Sequence, residues 1–149
     1  MEPVVPIDPD AAAAGPAWSA VAAVALGGAL GAPARYEVAK LVPTAVDAFP
    51  WATFWTNVGG AFALGLFLVV IIERFPPSRY LRPFVAVGFL GAFTTFSTFA
   101  VETDLLVKDG HAPIALAYVV ASLVAGLGAA TAGMTVGRLG RLGRRGEER

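Results

Sequence analysis

The nine residues Gly91-Ala92-Phe93-Thr94-Thr95-Phe96-Ser97-Thr98-Phe99 set four hydroxyl side chains between phenylalanine rings, beside a glycine, inside a long apolar run. A segment that only had to fill hydrocarbon has no use for such a cluster. One or two Ser or Thr side chains within a helix bond back to the preceding turn and bend it. A Thr-Thr pair three residues after Gly91, followed by Ser97-Thr98, exceeds that role and predicts an opening of the helix. Freed carbonyls then need a cation, water or protein donors, and such backbone survives at membrane depth only where it is buried or lines a cavity.

Phe96 and Phe99 fall on one helical face. Such a pair packs a core by default, but the positive edge of an aromatic ring also faces an anion. A small, strongly hydrated anion would need such edges together with amide and hydroxyl donors. Asn57, in Asn57-Val58-Gly59-Gly60, offers a carboxamide that in hydrocarbon must find partners for its donors and its acceptor. It either fixes helix packing or turns a donor toward a water-filled path. Tyr118 and Ser122, four apart, extend a polar stripe or bond between helices. No residue set predicts catalysis: His111 is the only histidine, cysteine is absent, and Glu37 and Glu102 stand near helix ends. Arg35 pairs with either carboxylate or snorkels to an interface.

The elements that carry these groups follow from composition. The chain has 149 residues, 56% hydrophobic and 15% charged, too little charge for the surface of a soluble domain. Its uncharged stretches, Pro16 to Ala34, Ala52 to Ile72, Pro83 to Val101 and Ala112 to Val136, each approach the ~20 residues that cross a bilayer core. The prediction is an all-α integral membrane protein with four transmembrane helices, at 17–41, 51–73, 82–107 and 112–136, within a membrane domain 17–137. Residues 1–16, acidic and without Lys or Arg, read as a disordered leader. Residues 138–149 form a basic tail, read as anchored on an anionic leaflet rather than on nucleic acid. An even number of spans gathers eight Lys and Arg on the side of the termini and three on the other, which favours cytoplasmic termini. The pairs Gly27 and Gly31, Ala61 and Gly65, and Gly133 and Gly137 have the small-xxx-small spacing of close helix packing.

Three motifs in order resemble the CrcB/Fluc fluoride channels of microbes. They are Gly27-Gly28-Ala29-Leu30-Gly31-Ala32-Pro33-Ala34-Arg35-Tyr36, Thr53-Phe54-Trp55-Thr56-Asn57-Val58-Gly59-Gly60-Ala61-Phe62, and Gly88 to Phe99. With Tyr118-x-x-x-Ser122 the likeness covers nearly the whole membrane portion. The resemblance implies an antiparallel, dual-topology dimer with two pores in the cell membrane, passively exporting the fluoride that HF carries into the cytoplasm. It implies that Asn57 donates to fluoride, that Phe96 and Phe99 present ring edges to it, and that Ser97, Tyr118 and Ser122 continue its polar track. It places Arg35 near a vestibule, and a structural Na⁺ at the dimer centre on the backbone carbonyls of Gly91 and Thr94. In this family some members pair with themselves and others with an oppositely oriented homologue; the charge bias points to the second arrangement. A small proton-coupled multidrug exporter would need a carboxylate deep in its first span, and none lies between Pro16 and Ala34. A non-conducting partner subunit would have no need of the intact Asn57, Phe96 and Phe99 set.

Overall fold

A chain so poor in charge has few ways to satisfy its backbone except internally, and every regular element is helical. The computed structural model describes residues 17–43, 45, 47–74, 78 and 80–147. The predicted leader lies outside these residues, as do Pro76, Pro77 and Arg79 of the second connection. Helix α1, Ala17–Leu41, stops shortly before Pro43, whose ring disfavours helical geometry in the residue preceding it. Helix α2 is Trp51–Arg74 and carries Asn57. The third apolar run forms three pieces: α3, Pro83–Leu90, a π-helix; α4, Gly91–Phe93; and α5, Phe96–Lys108. Helix α6, Ala112–Glu147, continues into the basic tail past the predicted end at 136.

Among the described residues, three stretches are long and apolar enough to cross a membrane: Trp51–Ile71, Pro83–Lys108 and Ala112–Leu139. Their outward faces carry large apolar side chains, with Leu123 60% and Leu127 71% exposed. Water would penalise that surface; lipid does not.

The helices pack as two layers of neighbours. Helix α2 lies along α6, α1 lies along α3 and α4, and α5 turns onto α6. Both long pairings depend on small residues. A Cβ at Gly65 would strike the Ala130 carbonyl and one at Gly133 the Phe62 carbonyl, so backbone meets backbone where α2 crosses α6. Gly27 and Gly31 likewise admit the carbonyls of Phe84 and Phe89 to α1. Helix α5 ends in a Schellman motif: the His111 N–H bonds to the Leu106 carbonyl at 2.7 Å and the Gly110 N–H to Val107 at 3.2 Å. Gly110 has φ of +85°, which glycine adopts without a Cβ penalty. That turn brings α6 back against α5, around a core of Phe54, Leu106, Ala115 and Tyr118.

Candidate functional site

The break between α4 and α5 is two residues of extended backbone. Thr94 has φ −75° and ψ 160°, and Thr95 φ −148° and ψ 122°. Extended residues lose their helical partners, so each polar group must find another. Thr95 caps α5: its Oγ1 accepts from the Thr98 N–H at 3.1 Å and donates to Thr98 Oγ1 at 2.9 Å. The rest comes from other helices. Asn57 Oδ1 accepts the Thr95 N–H at 2.8 Å, and Asn57 Nδ2 donates to the Thr95 carbonyl at 2.9 Å. From α1, Arg35 Nη1 donates to the Thr94 carbonyl at 3.2 Å. Thr94 Oγ1 bonds back to Leu90 at 2.9 Å.

A cavity of about 400 Å³ opens beside the break, and Asn57, Gly91, Thr94, Phe96, Phe99 and Ser122 all line it. Among the described residues, no charged side chain does. The Ser122 hydroxyl oxygen is buried with no hydrogen-bond partner, and the residue lines the cavity. Asn57 retains one amide hydrogen after its bond to Thr95. The Phe96 and Phe99 rings stand 6.0 Å apart at 40°, and Phe96 is 81% exposed in the single chain while Phe99 packs against Tyr118. Such walls bind weakly and through neutral donors, which suits a small anion in transit better than a held substrate.

Three residues of the sequence reading lie elsewhere. Ser97 is exposed and outside the cavity wall, its hydroxyl 3.3 Å from Thr95 Oγ1. Tyr118 is fully buried, and its hydroxyl donates to Glu102 Oε2 at 2.8 Å, so that donor is engaged. Arg35 pairs with neither Glu37 nor Glu102 but with the break. It lines a second cavity of about 210 Å³ with Thr53, Thr56, Thr95 and Thr98, so Thr95 is the wall common to both.

Glu102 and Thr53 were not singled out by spacing. Thr53 Oγ1 donates to Glu102 Oε1 at 2.8 Å, so one carboxylate takes hydroxyls from α2 and α6. Two hydroxyl donors from different helices satisfy both oxygens of this carboxyl group in its partly buried position. The available signal was a carboxylate followed, sixteen positions on, by the single tyrosine of the fourth apolar run; only the α5–α6 turn reveals that they meet.

The Gly91 and Thr94 segments border one cavity. Thr94 already accepts from Arg35, but a carbonyl oxygen has a second lone pair. Neutral carbonyls of unwound helix are the donor type that holds Na⁺. The chemistry of these carbonyls is compatible with such an ion. Among the described residues, no cluster of three His, Cys, Asp or Glu offers another metal site.

The family model described as CrcB-like protein, Camphor Resistance (CrcB), matches residues 22–134, which include every helix of the site. Fluoride-specific ion channel FluC 3 of Streptomyces avermitilis is 54% identical over 119 residues, 80% of this chain and 58% of the relative. FluC 2 of the same organism is 53% identical over 69% of this chain and 65% of its own length. The chain thus spans less than two thirds of these two relatives. Fluoride-specific ion channel FluC of Paracoccus denitrificans is 45% identical over 77% of this chain, and there the match takes in 91% of the relative.

Proposed function

The chain belongs to the CrcB family, and we propose that it is a fluoride-specific ion channel of the cell membrane, passively releasing F⁻ from the cytoplasm. The observation that carries this reading is the uncharged cavity at the break, where Asn57, Ser122 and the Phe96 and Phe99 rings converge. Fluoride gives up much of its water to enter so apolar a space. The free Asn57 N–H, the Ser122 O–H and two ring edges replace part of that shell without a charge that would trap the ion. On this reading Glu102 holds the Tyr118 and Thr53 hydroxyls in place, and Arg35 draws anions toward the second cavity.

Helix α1 is the fourth span in this reading. Two copies pair antiparallel, which covers the exposed Phe96 and brings a second set of Gly91 and Thr94 carbonyls to a shared structural Na⁺. The ion contributes crosslinking charge at the interface; orientation of the fluoride donors is the work of the chain's own residues. The eight-to-three distribution of Lys and Arg favours the alternative in which the second chain is an oppositely oriented homologue rather than another copy.

Efflux of fluoride from liposomes containing only this purified chain, with chloride as control, tests both points. Fast, fluoride-selective efflux is expected if two copies suffice. Efflux only after a homologue is added assigns the paired arrangement. Monodisperse protein that passes no fluoride in either form overturns the channel reading.

A further inference from the structure

The break has to be kept open against a nearby alternative. In a continuous helix the Thr95 N–H would return to the Gly91 carbonyl four residues earlier. Here that N–H goes to Asn57 instead. One helical turn further along α2 from Asn57 lies Gly60, which is buried. A Cβ built on Gly60 would run into the Thr94 Cγ2 methyl, with the Phe93 ring next nearest at 3.6 Å. At the neighbouring Gly59 the same atom meets nothing within 4 Å. Neither the helical backbone of α2 nor its packing on α6 demands glycine at position 60; the Thr94 methyl does.

We propose that Gly60 is a positioning residue for fluoride conduction. With Asn57 it forms a two-point seat on α2: Asn57 takes both backbone groups of Thr95, and Gly60 admits the Thr94 methyl. Arg35 holds the Thr94 carbonyl from the α1 side. The seat fixes where α5 begins, and with it the placement of Phe96 on the cavity wall. It also keeps the Thr95 N–H from closing onto the Gly91 carbonyl. This inference rests on the fluoride-channel reading and deepens it.

A methyl added at Gly60 has one soft obstacle, and that obstacle can be removed. Gly60→Ala is expected to lower fluoride efflux about tenfold or more, the scale of an ångström-size misplacement. Adding Thr94→Ser deletes Cγ2 while keeping Oγ1 and its bond to Leu90. The double variant should return to the efflux of Thr94→Ser alone. Hydrogen exchange of the Thr95 amide, read in detergent without any flux, should change in Gly60→Ala and revert in the double variant. If Gly60→Ala does not stay monodisperse, recovery of folded yield by Thr94→Ser counts for the seat. Wild-type behaviour of Gly60→Ala, or a loss that Thr94→Ser leaves unrelieved, overturns the proposal while wild-type efflux leaves the channel reading standing. Absence of wild-type efflux sinks that reading instead, and the exchange measurement still judges the seat.

Discussion

Asn57→Asp changes one atom type at the centre of the site and separates its two duties. In the native chain Oδ1 accepts the Thr95 N–H at 2.8 Å and Nδ2 donates to the Thr95 carbonyl at 2.9 Å. A carboxylate keeps the first bond and strengthens it, but the second turns into an oxygen facing an oxygen. The cavity, which no charged residue lines, acquires a full negative charge. For an anion passing at about 5 Å, with an effective dielectric constant near 20, the repulsion is about 3 kcal/mol, or about a hundredfold in rate. The loss should reverse with acid in a defined direction. A protonated carboxyl is neutral and donates its O–H to the Thr95 carbonyl, so conduction is lowest at neutral pH and recovers as pH falls. Fluoride efflux from liposomes across that pH series, corrected for HF leak through protein-free liposomes, reads the effect. Monodisperse Asn57→Asp protein conducting within about twofold of wild type at neutral pH would remove Asn57 from the anion path and refute the argument.

Phe96→Ile keeps bulk but loses the ring edge; at ~0.5–1.5 kcal/mol for such a contact, fluoride efflux should fall by up to about tenfold. A dimer that dissociates on gel filtration, with flux per dimer unchanged, would assign Phe96 to packing. Tyr118→Phe strips one of two charge-assisted bonds from Glu102 and should cost about 1.5–3 kcal/mol, seen as a lower melting temperature in detergent, with fluoride still preferred over chloride. An unchanged melting temperature would show that the bond contributes nothing. Gly133→Ala presses a methyl on the Phe62 carbonyl, a backbone atom that cannot rotate away, and should destabilise by about 1–3 kcal/mol without altering selectivity.

The helices were legible because apolar runs set their positions directly. Pro43 marked the end of α1, and Lys108-Asp109-Gly110-His111 marked the turn into α6. The small-xxx-small pairs located close crossings but not their partners; that Gly65 meets Ala130 and Gly133 meets Phe62 is tertiary information. The cluster at Thr94 and Thr95 drew attention through its composition, whereas its bonding was hidden. Asn57 read as either a packing bond or a donor to a water-filled path; it clamps the Thr95 backbone and keeps one amide hydrogen, and that partner, 38 residues away, could not be read from sequence. Tyr118 read as part of a polar stripe with Ser122 or as a bond between helices; its hydroxyl makes the second, to Glu102, a partner that spacing could not name. The π-helical winding of α3 has no signature in the sequence that we can identify.

The position of the break follows from what its two halves must touch. Before Thr94 the chain packs on α1, through glycines that admit its carbonyls; after Thr95 it packs on α6, through Phe99 and the Tyr118 core. An unbroken helix would have to follow one neighbour and abandon the other. Two extended residues allow the change of direction, and their cost is met by Asn57, Arg35 and the Thr95 cap. The same arrangement explains why so few donors remain for an ion. Thr53, Thr56, Thr94, Thr95 and Tyr118 all spend their hydroxyls on protein acceptors. The residues that line the cavity keep one amide hydrogen of Asn57 and the unpartnered Ser122 hydroxyl, beside the Phe96 and Phe99 rings. If the chain conducts fluoride as proposed, mutations that loosen the break should admit chloride before they abolish fluoride conduction.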